Sequence, residues 1–382
     1  LAMLKSSATQ VTAQQLTFKV PDTETAGMVG LPLRGLISGA SMNSGASFRV
    51  VHGNLIYTIP LNAIDFNQEL SLIGGDVSSA YLYLTMEQTA NSSLAAAIGN
   101  RTATPQATAA AFSMVVVSGG NQREVSNYNA GGGVKKTFAL GSASALPSET
   151  AVVRWDDQYG DAVYAPTSIE SSANGVRVST EAKENGTFAV VGKTNRIFSD
   201  MNSHWARNDV AILASKFIVD GPTRTTFAPA QNITRAEFAK FIARGLGLPG
   251  DRSAAAKFSD VGANGSNAAY IGAVSNVGIV QGTEKGTFNP NASITREEMA
   301  TMMLRAMTYA GVQPSSSANT LSRFTDGNAV SNWARSAVAG NVEAGVMNGV
   351  SATKFQPKSN ASRAEAAAMV KRMLEYAELL ES

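Results

Sequence analysis

The spacing of apolar positions changes partway along the chain. From about Gln15 to Val191, apolar and polar residues alternate in short runs, the period of a half-buried strand. Leu16, Phe18 and Val20 alternate in one run; SFRVV (Ser47–Val51) and LIYTI (Leu55–Ile59) flank His52-Gly53-Asn54, a hairpin turn. AYLYLTM (Ala80–Met86), FSMVVV (Phe112–Val117), AVVRW (Ala151–Trp155), DAVYAP (Asp161–Pro166), GVRVST (Gly175–Thr180) and TFAVV (Thr187–Val191) continue it. About ten short strands with polar turns predict an all-β, sandwich-like region over residues 15–196. It carries a possible subdomain split near 91–110 and a short helix at Ser93–Ile98. Residues 1–14 read as a linker.

Beyond residue 197 the period becomes that of a helix, and it repeats. TFAPAQNITRAEF (Thr226–Phe238), TFNPNASITREEM (Thr287–Met299) and KFQPKSNASRAEA (Lys354–Ala366) share Phe-x-Pro, then Thr or Ser, Arg, a variable residue and Glu. Each copy opens with Phe-Ser/Thr-Asp, at Phe198-Ser199-Asp200, Phe258-Ser259-Asp260 and Phe324-Thr325-Asp326. A helical stretch ending at Gly221, Gly282 or Gly349 separates opening and motif. After each Arg the apolar residues fall at i, i+3, i+4 and i+8: Phe238, Phe241, Ile242, Leu246; Met299, Met302, Met303, Met307; Ala366, Met369, Val370, Leu374. A period near sixty residues means one structural unit used three times. Such a half suits a binding module with three related sites better than a single-site enzyme.

Thr234 with Glu237, Thr295 with Glu298 and Ser362 with Glu365 each fit a helix capping box, in which the hydroxyl caps the N3 amide and the Glu returns to the cap amide. The box explains the hydroxyl and the Glu, but not Arg235, Arg296 and Arg363. These sit at the first helical position, against the positive end of the macrodipole, where Asp, Glu or Pro is preferred. The Arg therefore meets an anion. A helix N-terminus offers amides to an anion, and a guanidinium adds planar two-point recognition of a carboxylate. The anion is either a ligand or an internal partner, for which the recurring Asp200, Asp260 and Asp326 are candidates. On macrodipole grounds, replacing the Arg is expected to leave folding nearly unchanged.

Phe-Ser-Asp, a Trp-Ala helix, Gly, Phe-x-Pro and Thr-Arg-Ala-Glu, three times over, resemble the S-layer homology triplet of bacterial surface proteins. The resemblance covers about Phe198 to Leu380. It divides the segment into repeats at 197–250, 257–311 and 323–382. It implies an all-α, pseudo-threefold fold and non-covalent anchoring to a secondary cell-wall polysaccharide bearing a pyruvate ketal. The ketal carboxylate would fall to Arg235, Arg296 and Arg363, with Asp200, Asp260 and Asp326 orienting Arg or sugar hydroxyls. Trp205 and Trp333 would wall the grooves, and Gly221, Gly282 and Gly349 would permit close backbone approach. The copies differ: Ser266 stands at the Trp position of the second, and Phe217 stands where the others have Gly278 and Gly345. Copy three has Ser362 for Thr and an altered loop at 327–330. The β-rich half resembles segments that precede such triplets and implies a spacer or assembly domain.

Composition narrows the chemistry. With 31 Lys and Arg against 29 Asp and Glu, nothing favours a nucleic acid. There is no Cys, so disulfides and thiolate sites are excluded, and with only His52 and His204 a multi-His zinc site has no ligands. No run of eighteen apolar residues occurs, so no membrane insertion is expected. The chain starts at Leu1 without a signal peptide and reads as a piece of a longer exported protein, located at the cell wall or S-layer. The carboxylates Asp65, Glu69, Asp76 and Asp156, Asp157, Asp161 read as turn residues or solvated acids, with calcium the alternative and catalysis a lesser one. Gly131-Gly132-Gly133 lacks a following Lys-Ser/Thr and is no phosphate loop. The expectation is a non-enzymatic anchor without cofactor, its partners the wall polysaccharide and copies of itself in a lattice. The alternative is the anchor of a polysaccharide-degrading enzyme whose catalytic domain lies upstream.

Overall fold

The computed structural model describes residues 15–126, 128–129, 133–141, 149–173, 175–194 and 198–380. The expected linker at 1–14 and Gly131-Gly132 lie outside them. The chain divides into two compact units. The first is Leu1–Ala96, Pro105–Leu146 and Thr167–Gly192; the second is Ala97–Thr104, Pro147–Pro166 and Lys193–Ser382.

The first unit is sheet-rich. Its strands begin with β1 (Gln15–Lys19), β2 (Gly27–Pro32), β3 (Ser47–His52), β4 (Leu55–Pro60), β5 (Tyr81–Gln88), β6 (Ala103–Pro105, at the unit boundary), β7 (Ala110–Ser118), β8 (Asn121–Glu124) and β9 (Lys135–Gly141). After the hairpin β10 (Ala151–Asp156) and β11 (Asp161–Ala165) come β12 (Thr167–Ser172), β13 (Gly175–Thr180) and β14 (Gly186–Thr194). One sheet runs β1-β3-β4-β9-β13-β12; in the other β7 lies between β14 and β5, with β2 beyond β5. Alternation works as the sequence implies. On β7 the phenyl of Phe112 and the side chains of Met114 and Val116 are buried. Phe112 meets Tyr57 on β4 edge-on at 5.4 Å and Phe138 on β9 at 5.7 Å, so both sheets contribute to one core.

The all-β expectation needs correction, because helices α1 (Leu33–Met42) and α2 (Phe66–Ile73) interrupt the strands. Leu33 and Leu36 bury one side of α1, a spacing masked in the sequence by glycines and serines of low helix propensity. The Asp65 carboxylate caps α2, accepting the Gln68 amide at 3.0 Å. The short helix at 93–98 is present as α3 (Ser92–Asn100). Residues 15–196 are also not one body. The segments 97–104 and 147–166 group with the helices of the second unit, which is accordingly not all-α. The alternation of 151–165 looks like that of any hairpin; its partners lie far along the chain.

The second unit holds α4 (Arg207–Ser215), α5 (Arg235–Gly245), α6 (Arg252–Ala255), α7 (Ala268–Asn276), α8 (Arg296–Tyr309), α9 (Arg335–Glu343) and α10 (Arg363–Tyr376). The stripes of α5, α8 and α10 are buried at every expected position, including Met299, Met302, Met303 and Met307. Three backbone hydrogen bonds close a ring between repeats. Ile233 donates to Ala361 (3.0 Å), Ala361 to Ile294 (3.1 Å) and Ile294 to Ile233 (3.2 Å). Around it each opening Phe packs on the Phe of its own Phe-x-Pro: Phe198 on Phe227, Phe258 on Phe288 and Phe324 on Phe355, with centroids 5.5, 5.5 and 5.6 Å apart. The same contact made three times at one distance is the internal threefold repetition that the sequence displays.

Candidate functional site: a groove between repeats

The capping boxes are formed in all three copies, at Thr234 with Glu237, Thr295 with Glu298 and Ser362 with Glu365. The next amides are occupied as well. Those of Arg235 and Ala236 donate to the carbonyls of Ala292 and Pro290 in the second repeat. Arg296 and Glu297 donate to Ser359 and Pro357 of the third, and Arg363 and Ala364 to Gln231 and Pro229 of the first. The helix N-termini therefore have no free amides for an anion.

The arginines follow the same rotation. Arg235 Nε donates to the Phe288 carbonyl at 2.9 Å and pairs with Glu298 at 3.3 Å. Arg296 donates to the Phe355 carbonyl at 2.9 Å and pairs with Glu365 at 3.2 Å. Arg363 donates to the Phe227 carbonyl at 2.8 Å and pairs with Glu237 at 2.6 Å. Each guanidinium also lies about 5 Å from the centroid of that Phe ring. The internal partner is thus the capping-box Glu of the neighbouring repeat, and not the recurring Asp. Arg296 and Arg363 place a further nitrogen on the Asn348 and Asp220 carbonyls, both at 2.6 Å, and are buried. Arg235 is the more open, with its side chain 15% exposed.

Asp200, Asp260 and Asp326 hold loops. Their carboxylates accept the amides of Phe227 and Ala228, of Phe288 and Asn289, and of Phe355 and Gln356 at 2.7–3.1 Å. Ala228, Asn289 and Gln356 have φ of 57°, 60° and 56°, a left-handed conformation disfavoured for side-chain-bearing residues. The Asp clamps fix that conformation. For Asp326, burial opposes ionisation, but the Phe355 and Gln356 amides hold its carboxyl below the usual range. Gly221, Gly282 and Gly349 are sites of close approach to protein. A Cβ on Gly221 would come within 1.8 Å of the Thr226 carbonyl, and one on Gly282 or Gly349 within 2.7 Å of the Phe258 or Phe324 ring.

Trp205 and Trp333 are surface aromatics, 62% and 59% exposed. Trp333 walls a groove of about 470 Å³ that draws on all three repeats. Arg235 comes from the first, Gly282, Glu298, Met302 and Arg305 from the second. Arg305 is the residue that sequence reasoning missed; its signal was an Arg nine residues after each first helical Arg, at Arg244, Arg305 and Arg372. Val280 and Met302 add apolar surface, so the groove combines an aromatic wall with two guanidiniums and one carboxylate.

The corresponding space beside Arg363 is filled by the chain itself. Arg244 pairs with Asp220 at 2.8 Å and with Asp161, from the β10–β11 hairpin, at 2.9 Å; Tyr270 also accepts from it. Asp161 pairs bidentately with Arg101 as well. The Arg101 guanidinium lies 4.6 Å from the centroid of the Phe217 ring. Phe217 has φ 64° where Gly278 and Gly345 have 77° and 70°, so a buried aromatic side chain accepts a glycine conformation to pack there. Burial works against the charge of Asp161, Asp220 and Arg244, and the opposite charges overcome it: both carboxyls are held low and the guanidinium high. Asp156 pairs with Arg154 at 3.0 Å and Asp157 accepts the Trp155 indole at 2.7 Å. Among the described residues no group of three or more His, Asp or Glu is placed to hold a metal ion.

Ring closure, the inter-repeat arginines and the walled groove define a module of three interlocked helical repeats. The sequence matches the S-layer homology domain over residues 197–239, 257–300 and 323–367: the chain carries three S-layer homology domains, the mark of a cell-surface protein. An amylopullulanase of Thermoanaerobacterium thermosulfurigenes is 39% identical over 47% of this chain and 10% of its own length. Exoglucanase XynX of Acetivibrio thermocellus is 33% identical over 59% and 20%. An S-layer protein of Bacillus thuringiensis subsp. finitimus is 30% identical over 50% and 23%. The matched part of this chain thus spans between a tenth and a quarter of these relatives. Among the described residues no helix is long and apolar enough to cross a membrane.

Proposed function

We propose that this chain anchors an exported surface protein to the cell wall without a covalent bond, by binding an acidic secondary cell-wall polysaccharide in the grooves of its helical unit. The groove walled by Trp333 carries the reading: an exposed indole offers a flat face to a sugar ring, and a guanidinium in the same groove answers a carboxylate, such as a pyruvate ketal. The sheet-rich unit serves as a sandwich-like spacer or lattice-assembly domain. Binding is stoichiometric; the chain catalyses nothing and needs no cofactor. Its carboxylates support this, because Asp65, Asp156 and Asp161 are engaged by caps or cations.

The names of the relatives support a second reading of the whole protein, in which the same anchor serves a glycan-degrading enzyme with a catalytic domain outside this sequence. Both readings share one test. The purified chain should co-sediment with intact walls and not with walls stripped of their secondary polysaccharide. Equal sedimentation with both would overturn the anchoring role. Release of reducing ends from wall polysaccharide by the pure chain would overturn the non-catalytic one.

A further inference from the structure

Trp333 has little around it to hold it still. It is largely exposed and rides on one short turn, Asn332–Ala334. That turn is tied across the repeat boundary by a single side chain. The Glu297 carboxylate, at the second position of α8, accepts the Ser331 amide at 2.9 Å and the Ser331 hydroxyl at 3.0 Å. Lys358, three residues after Phe355, completes the cluster. Its amine donates to the Glu297 carboxylate and to the Ser331 hydroxyl oxygen, both at 2.5 Å. The Ser331 carbonyl in turn accepts the Ala334 amide at 2.9 Å, so the residue held by Glu297 is the one that starts the turn. The same helix α8 carries Glu298, Met302 and Arg305 into the groove, and the tie therefore joins its two walls.

Glu297 is buried. A helix dipole favours an acid near the N-terminus, but an acid serving the dipole alone stays in water, because burying one costs unless it is paired. Nor does the fold require it: Ala236 and Ala364 occupy the same position in the other repeats. The difference separates the two tryptophans. Ser203 precedes Trp205 by two residues, as Ser331 precedes Trp333, but the counterparts of Glu297 and Lys358 there are Ala364 and Ala230. These side chains can form no bridge. The ring beside Trp205 is that of its sequence neighbour His204, at 5.4 Å. We infer that Glu297 is a positioning residue for saccharide binding: with Ser331 and Lys358 it sets the Trp333 wall against α8 before the ligand arrives. Binding then does not have to order this indole, as it must at the unbridged Trp205. The assignment rests on the anchoring reading and deepens it; Glu297 acts through Trp333 and touches no sugar.

The test uses the full chain with Trp155→Phe and Trp205→Phe, which leaves Trp333 as the sole indole. Glu297→Ala, which copies the other repeats, and Ser331→Ala are made in it. Time-resolved fluorescence anisotropy reads the mobility of Trp333 without ligand, and titration with soluble wall polysaccharide reads affinity. Both variants should show more fast depolarisation. Glu297→Ala should bind roughly two- to tenfold more weakly, the equivalent of one side chain to be ordered on binding. Once Trp333→Ala is introduced, Glu297→Ala should change the affinity no further, the non-additivity of a residue that acts through another. Ser331→Ala keeps the Glu297–Lys358 pair and guards the result against a general loss of stability. Unchanged Trp333 mobility in both variants of a chain that binds overturns the positioning role alone, as does an equal loss of affinity with and without Trp333. Failure of the unsubstituted chain to bind polymer overturns the anchoring reading and the positioning role with it.

Discussion

At the scale of single residues, the repeated arginines show how one side chain can look like a ligand group and be a joint. Removing Arg363 strands Glu237 and two backbone carbonyls, of Phe227 and Asp220, in a buried place, so Arg363→Ala should cost about 3 kcal/mol, typical of breaking a buried pair. Arg235→Ala should cost nearer 1 kcal/mol, because its bridge is longer and more exposed. Urea unfolding of the two variants checks the order; equal costs would contradict it. Both outcomes differ from the near-neutral result that macrodipole reasoning gives, since the guanidinium turns away to the next repeat. Trp333 behaves the opposite way. With the residue 59% exposed, Trp333→Ala should leave the melting temperature in place and weaken polymer binding by about 2 kcal/mol, as for a central aromatic anchor. Thr, Glu and the apolar stripe were legible in the sequence because their partners lie within four residues. The partners of Arg and Asp were not, because Arg363 and Glu237 are 126 positions apart.

At the scale of elements, the β10–β11 hairpin is the surprise. Its alternation predicted two strands correctly and said nothing of the unit they join. Lys216 is buried with its amine on the Thr150 carbonyl at 2.8 Å, Tyr159 donates to Leu248 and Tyr164 to Leu379. A fragment beginning at residue 198 loses these three contacts. It should melt well below the same helices carrying 147–166, as scanning calorimetry of the two fragments would show. Asp161 and Asp220 give this docking a pH signature. Their carboxyls are depressed in the folded chain, so their contribution is complete above the unfolded value of about 3.9 and is lost as pH falls below it, through the folded values. Asp161→Asn should therefore be less stable than wild type by a constant amount between about pH 8 and 5, and the gap should close below about pH 4. A gap that widens in acid would refute the role of this network.

At the scale of the whole molecule, the triplet is legible because repetition advertises itself, and the inequality of its grooves is not. Ser266 and Phe217 mark the copies as different, yet only the structure shows that a hairpin fills the space beside Arg363 and leaves the space beside Arg235 open. Binding should accordingly depend unequally on the repeats. Filling the open groove with Thr301→Trp should remove much of the polymer affinity, whereas Asp161→Asn should not lower it. Titration with wall polysaccharide distinguishes these cases.

The cycle of hydrogen bonds through Ile233, Ala361 and Ile294 has an arithmetical consequence. In an open solenoid each repeat adds to the last, and the array can lengthen or shorten by whole units. Here every repeat gives to one neighbour and takes from the other, so the count is closed at three. A fourth unit would find no vacant donor and acceptor, and two would leave a pair of broken ends. A surface protein that needs a firmer grip on its wall cannot extend this module by a repeat; it must carry another complete one, or bring a second chain.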